Sequence, residues 1–424
     1  MSQTQTMNDV QLKRSWKMPV VYVLAVLLQI LFTIKVSGDV TIRLNDKSQS
    51  LNIDDIVTPG RPILLVLTAL TLVVAMWSIY SVWARRQNPR WLDVTMMIVA
   101  GIATVFGFLI YAGSGSSGVV TLTSTLYSTV AISTPLIFGS LSGVVSERVG
   151  VVNIAIEGDL LLGAFAGVMA ASYFQTSWAG LIAAPIAGAF LGCLLALFSV
   201  KYGVDQIIVG VVLNVLAAGL TTFFYGTWMT KKAELFNTNK FSLSDIKIPI
   251  LGEIPVIGPM LFNHNILVYL MYATVIFLAI YLYRSRWGLR LRACGEHPRA
   301  ADTVGINVNR TRTLNAILAS GFAGLGGAFF TIGSGLSFTD NISAGNGYIA
   351  LAAMILGKWH PIGAMGAALM FGFAQALARL LPNLEQSIPS DLISMIPYIV
   401  TIIAVAGFVG KSRPPAAENI PYTK

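Results

Sequence analysis

Few side chains in this sequence combine reactive chemistry with a setting in which it could be used. His264, His297 and His360 are widely spaced, and none sits at a helical interval from a second ligand that would suggest zinc. No nucleophile has an evident base. Gly113-Ser114-Gly115-Ser116-Ser117-Gly118 matches the dinucleotide pattern GxGxxG but follows an apolar helical run, so it lacks the strand that the pattern requires. Gly410-Lys411-Ser412 resembles the end of a phosphate-binding loop, yet the required first glycine falls at Val405. The sequence therefore carries no nucleotide motif, no cofactor or metal site and no catalytic group of its own.

What remains is a set of polar groups set within or beside apolar runs: Asn153, Glu157, Gln206, Asn214, Asn315, Asn346 and Gln375. Unpaired polar groups are costly in an apolar medium, so each needs a reason. A second set is a hydroxyl stripe at steps of four, Thr121, Thr125, Thr129 and Ser133, flanked by Ser124 and Ser128 and followed by Pro135, which can kink a helix. Two readings stand for both sets. The groups bond helix to helix, at about 0.6 kcal/mol per contact, or they line a wet path through which a polar solute moves.

The elements that must position these groups are membrane helices. Of 424 residues, 55% are hydrophobic and 11% charged, whereas soluble domains carry about a quarter charged residues. Runs of about 20 apolar residues cross a bilayer core. They occur at Met18–Val36, Pro62–Trp83, Val94–Ala112, Thr121–Val145, Gly158–Tyr173, Trp178–Val200, Val204–Met229, Ile266–Tyr283, Thr313–Ile332, Ile362–Leu381 and Leu392–Val409. Lipid cannot satisfy backbone polar groups, so each should be helical. Met18–Val36 is too long for a cleaved signal peptide and lacks its small-residue site. The run Tyr348–Leu356 is too short to cross and reads as a half-helix that turns back at Gly357-Lys358-Trp359-His360-Pro361. Lys358 there is costly at depth unless it reaches an interface or a partner.

The net charge of +9 does not indicate nucleic acid, because the basic residues sit in short loops between the runs. Placing Lys13, Arg14, Lys17, Arg85, Arg86, Arg90, the Arg284–Arg312 loop, Lys411 and Arg413 in the cytoplasm lets the spans alternate, with both termini inside. Ser37–Gly60 and Thr230–Asn265 then lie outside. Lys411–Lys424, polar and holding three prolines, is expected to be disordered. Cys193 and Cys294 read as free thiols. Stripes of small residues, Ala184/Gly188/Gly192/Ala196 and Ala319/Ala323/Gly327, allow close helix packing.

Three polar breaks stand out. In Ser146–Asp159, Asn153 could cap the next helix, with Glu157 and Asp159 in its first turn where the dipole suits them; or a broken helix lines a path. In Arg292–Ile306, Pro298 suits a first helical position and Gly305 a helix end. The short helix between them is a connector, or a plug that docks into a soluble partner. The third is the half-helix and its turn, Gly345–Gly363.

The runs SERVGVVNIAIEGDLLLGAF from Ser146, RACGEHPRAADTVGINVNRTR from Arg292 and GYIALAAMILGKWHPIGA from Gly347 together resemble the permease subunits of ABC importers, in the group that handles branched-chain amino acids and simple sugars, and most closely its nucleoside branch. The resemblance covers roughly residues 92–410. It implies an all-α polytopic bundle of the type II importer kind, with about ten core helices, to which residues 1–91 add two further spans. It implies that the 284–312 loop carries a coupling helix, with Glu296, His297, Pro298, Arg299, Ala300, Ala301, Asp302 and Gly305 seated on a cytoplasmic ATPase that uses ATP. It further implies a second permease subunit, often a different chain, an external substrate-binding lipoprotein and a nucleoside as cargo. Asp159 and His360 depart from the family pattern, where an apolar residue and an asparagine are expected, so a simple sugar is the alternative cargo. An ion-driven secondary transporter would need paired intramembrane carboxylates on inverted repeats, which are not found.

Overall fold

The computed structural model describes residues 16–36, 38–43, 55–86, 88–114, 120–384, 395 and 413–423. The apolar run Leu392–Val409 (apart from Met395), Lys13, Arg14, residues 115–118 of the glycine-rich run and Gly410-Lys411-Ser412 lie outside them.

Among the described residues, ten helices are long and apolar enough to cross a membrane, and they coincide with the apolar runs read from the sequence. In chain order come α1 (Lys17–Lys35), strands β1 (Asp39–Arg43) and β2 (Ile56–Pro59), α2 (Gly60–Trp83), α3 (Arg90–Gly113), β3 (Val120–Thr121), α4 (Leu122–Arg148), α5 (Ile156–Tyr173), α6 (Ser177–Ala196) and α7 (Gln206–Phe224). Wider π turns prolong α6 through Lys201 and α7 through Met229. Short pieces α8 (Ala233–Phe236), β4 (Asp245–Lys247), α9 (Ile257–Phe262) and β5 (Asn263–Asn265) fill the 230–265 loop. Then follow α10 (Ile266–Arg284), α11 (Arg286–Glu296), α12 (Pro298–Thr303), α13 (Val308–Gly327), α14 (Asn346–Leu356) and α15 (Pro361–Leu384). The starts are chemical. Asp205, Asn265, Ser285 and Asn307 each accept backbone N–H bonds at the first turns of α7, α10, α11 and α13. Pro135 lies within α4, which continues unbroken past it.

The chain forms two compact units. The first gathers α1–α3 with the sheet in which β1 pairs antiparallel with β2 and parallel with β3. Its interior holds a polar knot: buried Gln29 donates to Thr104 (3.3 Å) and accepts from Thr71 (3.1 Å). Rows of leucines on α1 and α2 are exposed on its outer faces, as suits helices of membrane-spanning length.

The second unit runs from Thr123 to Arg379 and includes residues 413–423. Helix α4 is its axis, buried continuously from Ser133 to Glu147. The small-residue stripes meet at the α6–α13 crossing. Gly188 lies against the backbone of Ser320 and Gly324, Gly192 against Ser320, and Gly324 against the Ala184 carbonyl. Backbones in contact maximise dispersion where no hydrophobic drive between helices exists. The partner stripe on α13 is therefore Ser320 and Gly324, one position beyond Ala319 and Ala323.

Candidate functional site

The polar groups fall into three places. The first is a node where α5, α7 and the half-helix α14 meet. The linker between α4 and α5 carries Asn153, whose Oδ1 accepts the Ala155 N–H (3.0 Å), so it braces the turn one step before the helix rather than capping it directly. Its Nδ2 reaches Ser142, Asp159 and Ser320. Asp159 is wholly buried there, with Oδ1 unpartnered.

Glu157 does not point back at its own helix. Oε1 accepts from the Ser343 hydroxyl (2.6 Å) and the Gly345 N–H (2.8 Å), and Oε2 from the Gly347 N–H (2.6 Å). A carboxylate thus caps the first turn of α14, satisfying N–H groups that would otherwise be orphaned in the protein interior. Gly345 adopts φ +80° at the cap, and Gly347 lies so close to the Glu157 backbone that a side chain has no room.

Around this cap sit the amides. Asn214 accepts from the Gly158 N–H (2.8 Å) and donates to the Ile154 carbonyl (2.9 Å) and the Tyr348 hydroxyl (3.4 Å). Asn346 accepts from Gln375 of α15 (2.9 Å). Tyr348, absent from the sequence-derived candidates, is 53% exposed with its hydroxyl held by Asn214. Its signal was only a tyrosine in a half-helix, which is ordinary at a membrane interface.

The second place is α4. Thr129 and Ser133 donate to the carbonyls of Thr125 and Thr129, one turn back, and Thr125 is likewise buried. From Thr125 to Ser133 the stripe is buried in protein, while Thr121 is half-buried and Ser124 exposed, and Gly372 of α15 packs directly on Ser133. Gln206 and Asn315 lie apart from the node. Gln206 accepts the Val152 N–H (2.6 Å) and staples the α4–α5 linker, and Asn315 bonds back to the Thr311 carbonyl of its own helix.

The third place is the Arg284–Arg312 loop. Pro298 stands at the first position of α12, His297 at its cap and Gly305, φ +84°, beyond its end, as the sequence anticipates. Glu296, His297, Arg299 and Ala300 are exposed, and Pro298 and Asp302 are half-buried. Ala301 is 2% exposed and packs into the main core. It holds α12 to the bundle, so the outward surface is Arg299, Ala300, Thr303 and Val304, the last 75% exposed. Behind α12, Gly295 presses on the Arg148 carbonyl. Burial pushes the Cys294 thiol above its ordinary range, leaving a protonated packing group.

The turn after α14 places Lys358 and Trp359 at positive φ, 56° and 53°. The Trp359 indole donates to buried Glu147 (2.5 Å), while Arg148 holds the Trp359 and Lys358 carbonyls. Burial and the neighbouring Arg148 depress His360, so its ring is neutral near pH 7. Residues 413–423, expected to be disordered, are instead folded onto this face, because Arg312 donates to the Ala417 and Ile420 carbonyls.

Comparison with known proteins places these features. The family described as branched-chain amino acid transport system / permease component matches residues 125–405. The guanosine ABC transporter permease protein NupQ of Bacillus subtilis (strain 168) is 42% identical over 70% of this chain and 95% of its own. The nucleoside ABC transporter permease protein NupC of Lactococcus lactis subsp. cremoris (strain MG1363) is 39% identical over 69% of this chain and 94% of its own. A putative glucose ABC transporter permease protein, TsgC13 of Haloferax volcanii, is 32% identical over 59% and 76%. No solved structure gives a significant match. With its multi-pass helical bundle and this match across most of that bundle, the chain belongs to the permease-component family of branched-chain amino acid transport systems.

Proposed function

We propose that this protein is a transmembrane permease subunit of an ATP-driven nucleoside importer. The observation that carries the reading is its 42% and 39% identity, over nearly the whole of their lengths, to permeases named for guanosine and for nucleosides. The node supports it chemically. A nucleoside is neutral, with a polar sugar and a flat base, so its path needs amides, hydroxyls and an aromatic wall but no fixed countercharge. The Tyr348 ring, held by Asn214 beside the Asn346–Gln375 pair, offers those groups, and the Glu157 charge is already taken up by the cap of α14.

In this reading the Arg284–Arg312 loop and both termini face the cytoplasm, following the basic residues. The helix α12 seats in a groove of an ABC ATPase, which supplies the ATP chemistry that this chain lacks. A second permease subunit completes the pathway, and an external binding lipoprotein delivers the cargo. The test is uptake by the full complex in proteoliposomes. Radiolabelled guanosine, adenosine or uridine should accumulate with ATP inside and be indifferent to collapse of ion gradients. Uptake of glucose or ribose without nucleoside uptake would move the cargo to simple sugars. Nucleoside uptake that needs an ion gradient and no ATP would overturn the mechanism.

A further inference from the structure

We propose that Ala416–Tyr422 form a strap that fixes the coupling helix to the membrane bundle, and that Asn419 and Tyr422 are positioning residues for the coupling of ATP hydrolysis to transport. The proposal rests on the reading of α12 as the ATPase-docking helix.

The strap reaches the ends of α4, α7, α11, α12 and α13 in the second unit. The Ala417 N–H donates to the Gly295 carbonyl (2.8 Å) and the Ala416 N–H to Glu296 Oε2 (3.3 Å), at the end of α11 just before the joint with α12. Tyr422 lies in the electrostatic reach of Asp302 and Arg299 of α12. The Glu418 carboxyl, its Oε2 buried and without a hydrogen-bond partner, neighbours Glu147 at the end of α4, which itself holds the Trp359 indole in the turn after the half-helix. Asn419 accepts the Gln206 N–H (3.2 Å) and donates to Asp205 (3.2 Å), closing over the start of α7. Arg312 of α13, fully buried, grips the Ala417 and Ile420 carbonyls (3.2 and 2.8 Å).

These contacts are mostly to backbone and caps at helix ends. That is where a rigid-body displacement of α12 would otherwise be absorbed. The α11–α12 joint at His297 has no side-chain cap to stiffen it. Through the strap, a push on α12 reaches α4 and α7. Those helices flank the linker that carries Asn153 and leads into the Glu157–α14 cap. A buried guanidinium that gives two of its three hydrogen bonds to carbonyls of a polar, proline-bearing segment, and the third to the Cys294 carbonyl of α11, is hard to explain as packing alone, since a buried charge is expensive unless its bonds are needed. Asn419 sits at φ 56°, a conformation that asparagine tolerates and most residues do not.

The variant Asn419→Gly keeps that backbone conformation and removes only the side-chain bonds. Tyr422→Phe removes only the hydroxyl that neighbours Asp302. Both go into the complete complex in proteoliposomes, beside a deletion of Arg413–Lys424. ATPase co-purification, ATP hydrolysis and nucleoside uptake are measured together, with hydrogen exchange on the α12 amides. We expect the ATPase to remain bound and hydrolysis to stay within twofold. Uptake should fall fivefold or more, and α12 should exchange faster. If the deletion is lost from the membrane, the two point variants decide. Unchanged uptake in both overturns the strap, and so does a proportional fall of uptake and hydrolysis, which would signal a merely structural role. A Val304→Glu variant tests the underlying reading separately. If it leaves ATPase binding intact, the docking assignment of α12 fails whatever the strap variants do.

Discussion

At the scale of single residues, the informative side chain is Glu157. In the sequence it stands as either a first-turn carboxylate of its own helix or a path-lining charge. In the fold it is the N-terminal cap of a different helix, receiving two backbone N–H groups and one hydroxyl. Hydrogen bonds to a charged acceptor contribute about 1.5–3 kcal/mol, and the positive end of α14 adds to this. Glu157→Gln keeps the shape but turns one accepting oxygen into a donor that faces an N–H. It should lower the melting temperature of the detergent-purified complex by several degrees. Gly347→Ala should do more harm, because its Cβ would lie 2.5 Å from the Glu157 Cα and N, backbone atoms that cannot swing aside. A Gly347→Ala protein with wild-type yield and melting temperature would show that α14 is free to shift and that the cap is not its anchor.

At the scale of elements, the crossing of α6 and α13 holds the second unit by backbone proximity. Gly188→Ala places a methyl group 2.8 Å from the Gly324 Cα and against the Ser320 carbonyl, and the overpacking should cost about 1–3 kcal/mol. Ile186→Ala, on a 63% exposed neighbour of the same helix, should change stability by about 0.5 kcal/mol or less. Equal effects in thermal unfolding would contradict the assigned face. The elements themselves were legible because membrane length and backbone satisfaction leave a run of 20 apolar residues little choice, and the short run at Tyr348 had to be a half-helix for the same reason. Stripes of small residues could be seen, but not their partner's register: Ser320 and Gly324 complete the contact where Ala319, Ala323 and Gly327 were the obvious stripe. Pairings across 186 or more positions, such as Glu157 with Ser343 or Glu147 with Trp359, leave no periodic trace at all. Ala301 shows the limit of a motif, since a run that resembles a docking helix does not say which of its faces is buried. Composition likewise misjudged Arg413–Thr423. Three prolines and many polar residues cannot build a core, but they can be held by hydrogen bonds to a surface already built.

At the scale of the whole molecule, that segment joins α4, α7, α11, α12 and α13, so its attachment should be sensitive to conditions that no single helix feels. Its acid is the lever. Burial against the bundle raises Glu418 from 4.5 to about 7. The groups that face the segment are Glu147, the carboxyl next to Glu418; Trp359 and Arg148 behind that pair; Glu296 and Arg312 beside Ala416 and Ala417; Asp205 opposite Asn419; and Asp302 with Arg299 near Tyr422. Two neighbouring buried carboxyls disfavour being charged together, so a proton is favoured on the pair. An acid whose pKa is higher when docked than when free favours the docked state at low pH. That contribution is lost as pH rises from the free value near 4.5 and is fully gone once pH passes about 7. Hydrogen exchange at the Ala417 and Ile420 amides, or proteolysis within Arg413–Thr423, should therefore quicken between pH 5 and 8 beyond the intrinsic chemical rate. Glu418→Gln supplies a permanent donor to Glu147 and carries no charge, so its protection should be flat over that interval and at least equal to wild type at pH 8. Flat protection in the wild-type protein would show that the carboxyl pair does not govern attachment. Equal pH dependence in the glutamine variant would assign it to another of the facing groups, and the backbone bonds to Gly295 and Arg312 would then hold the segment unaided.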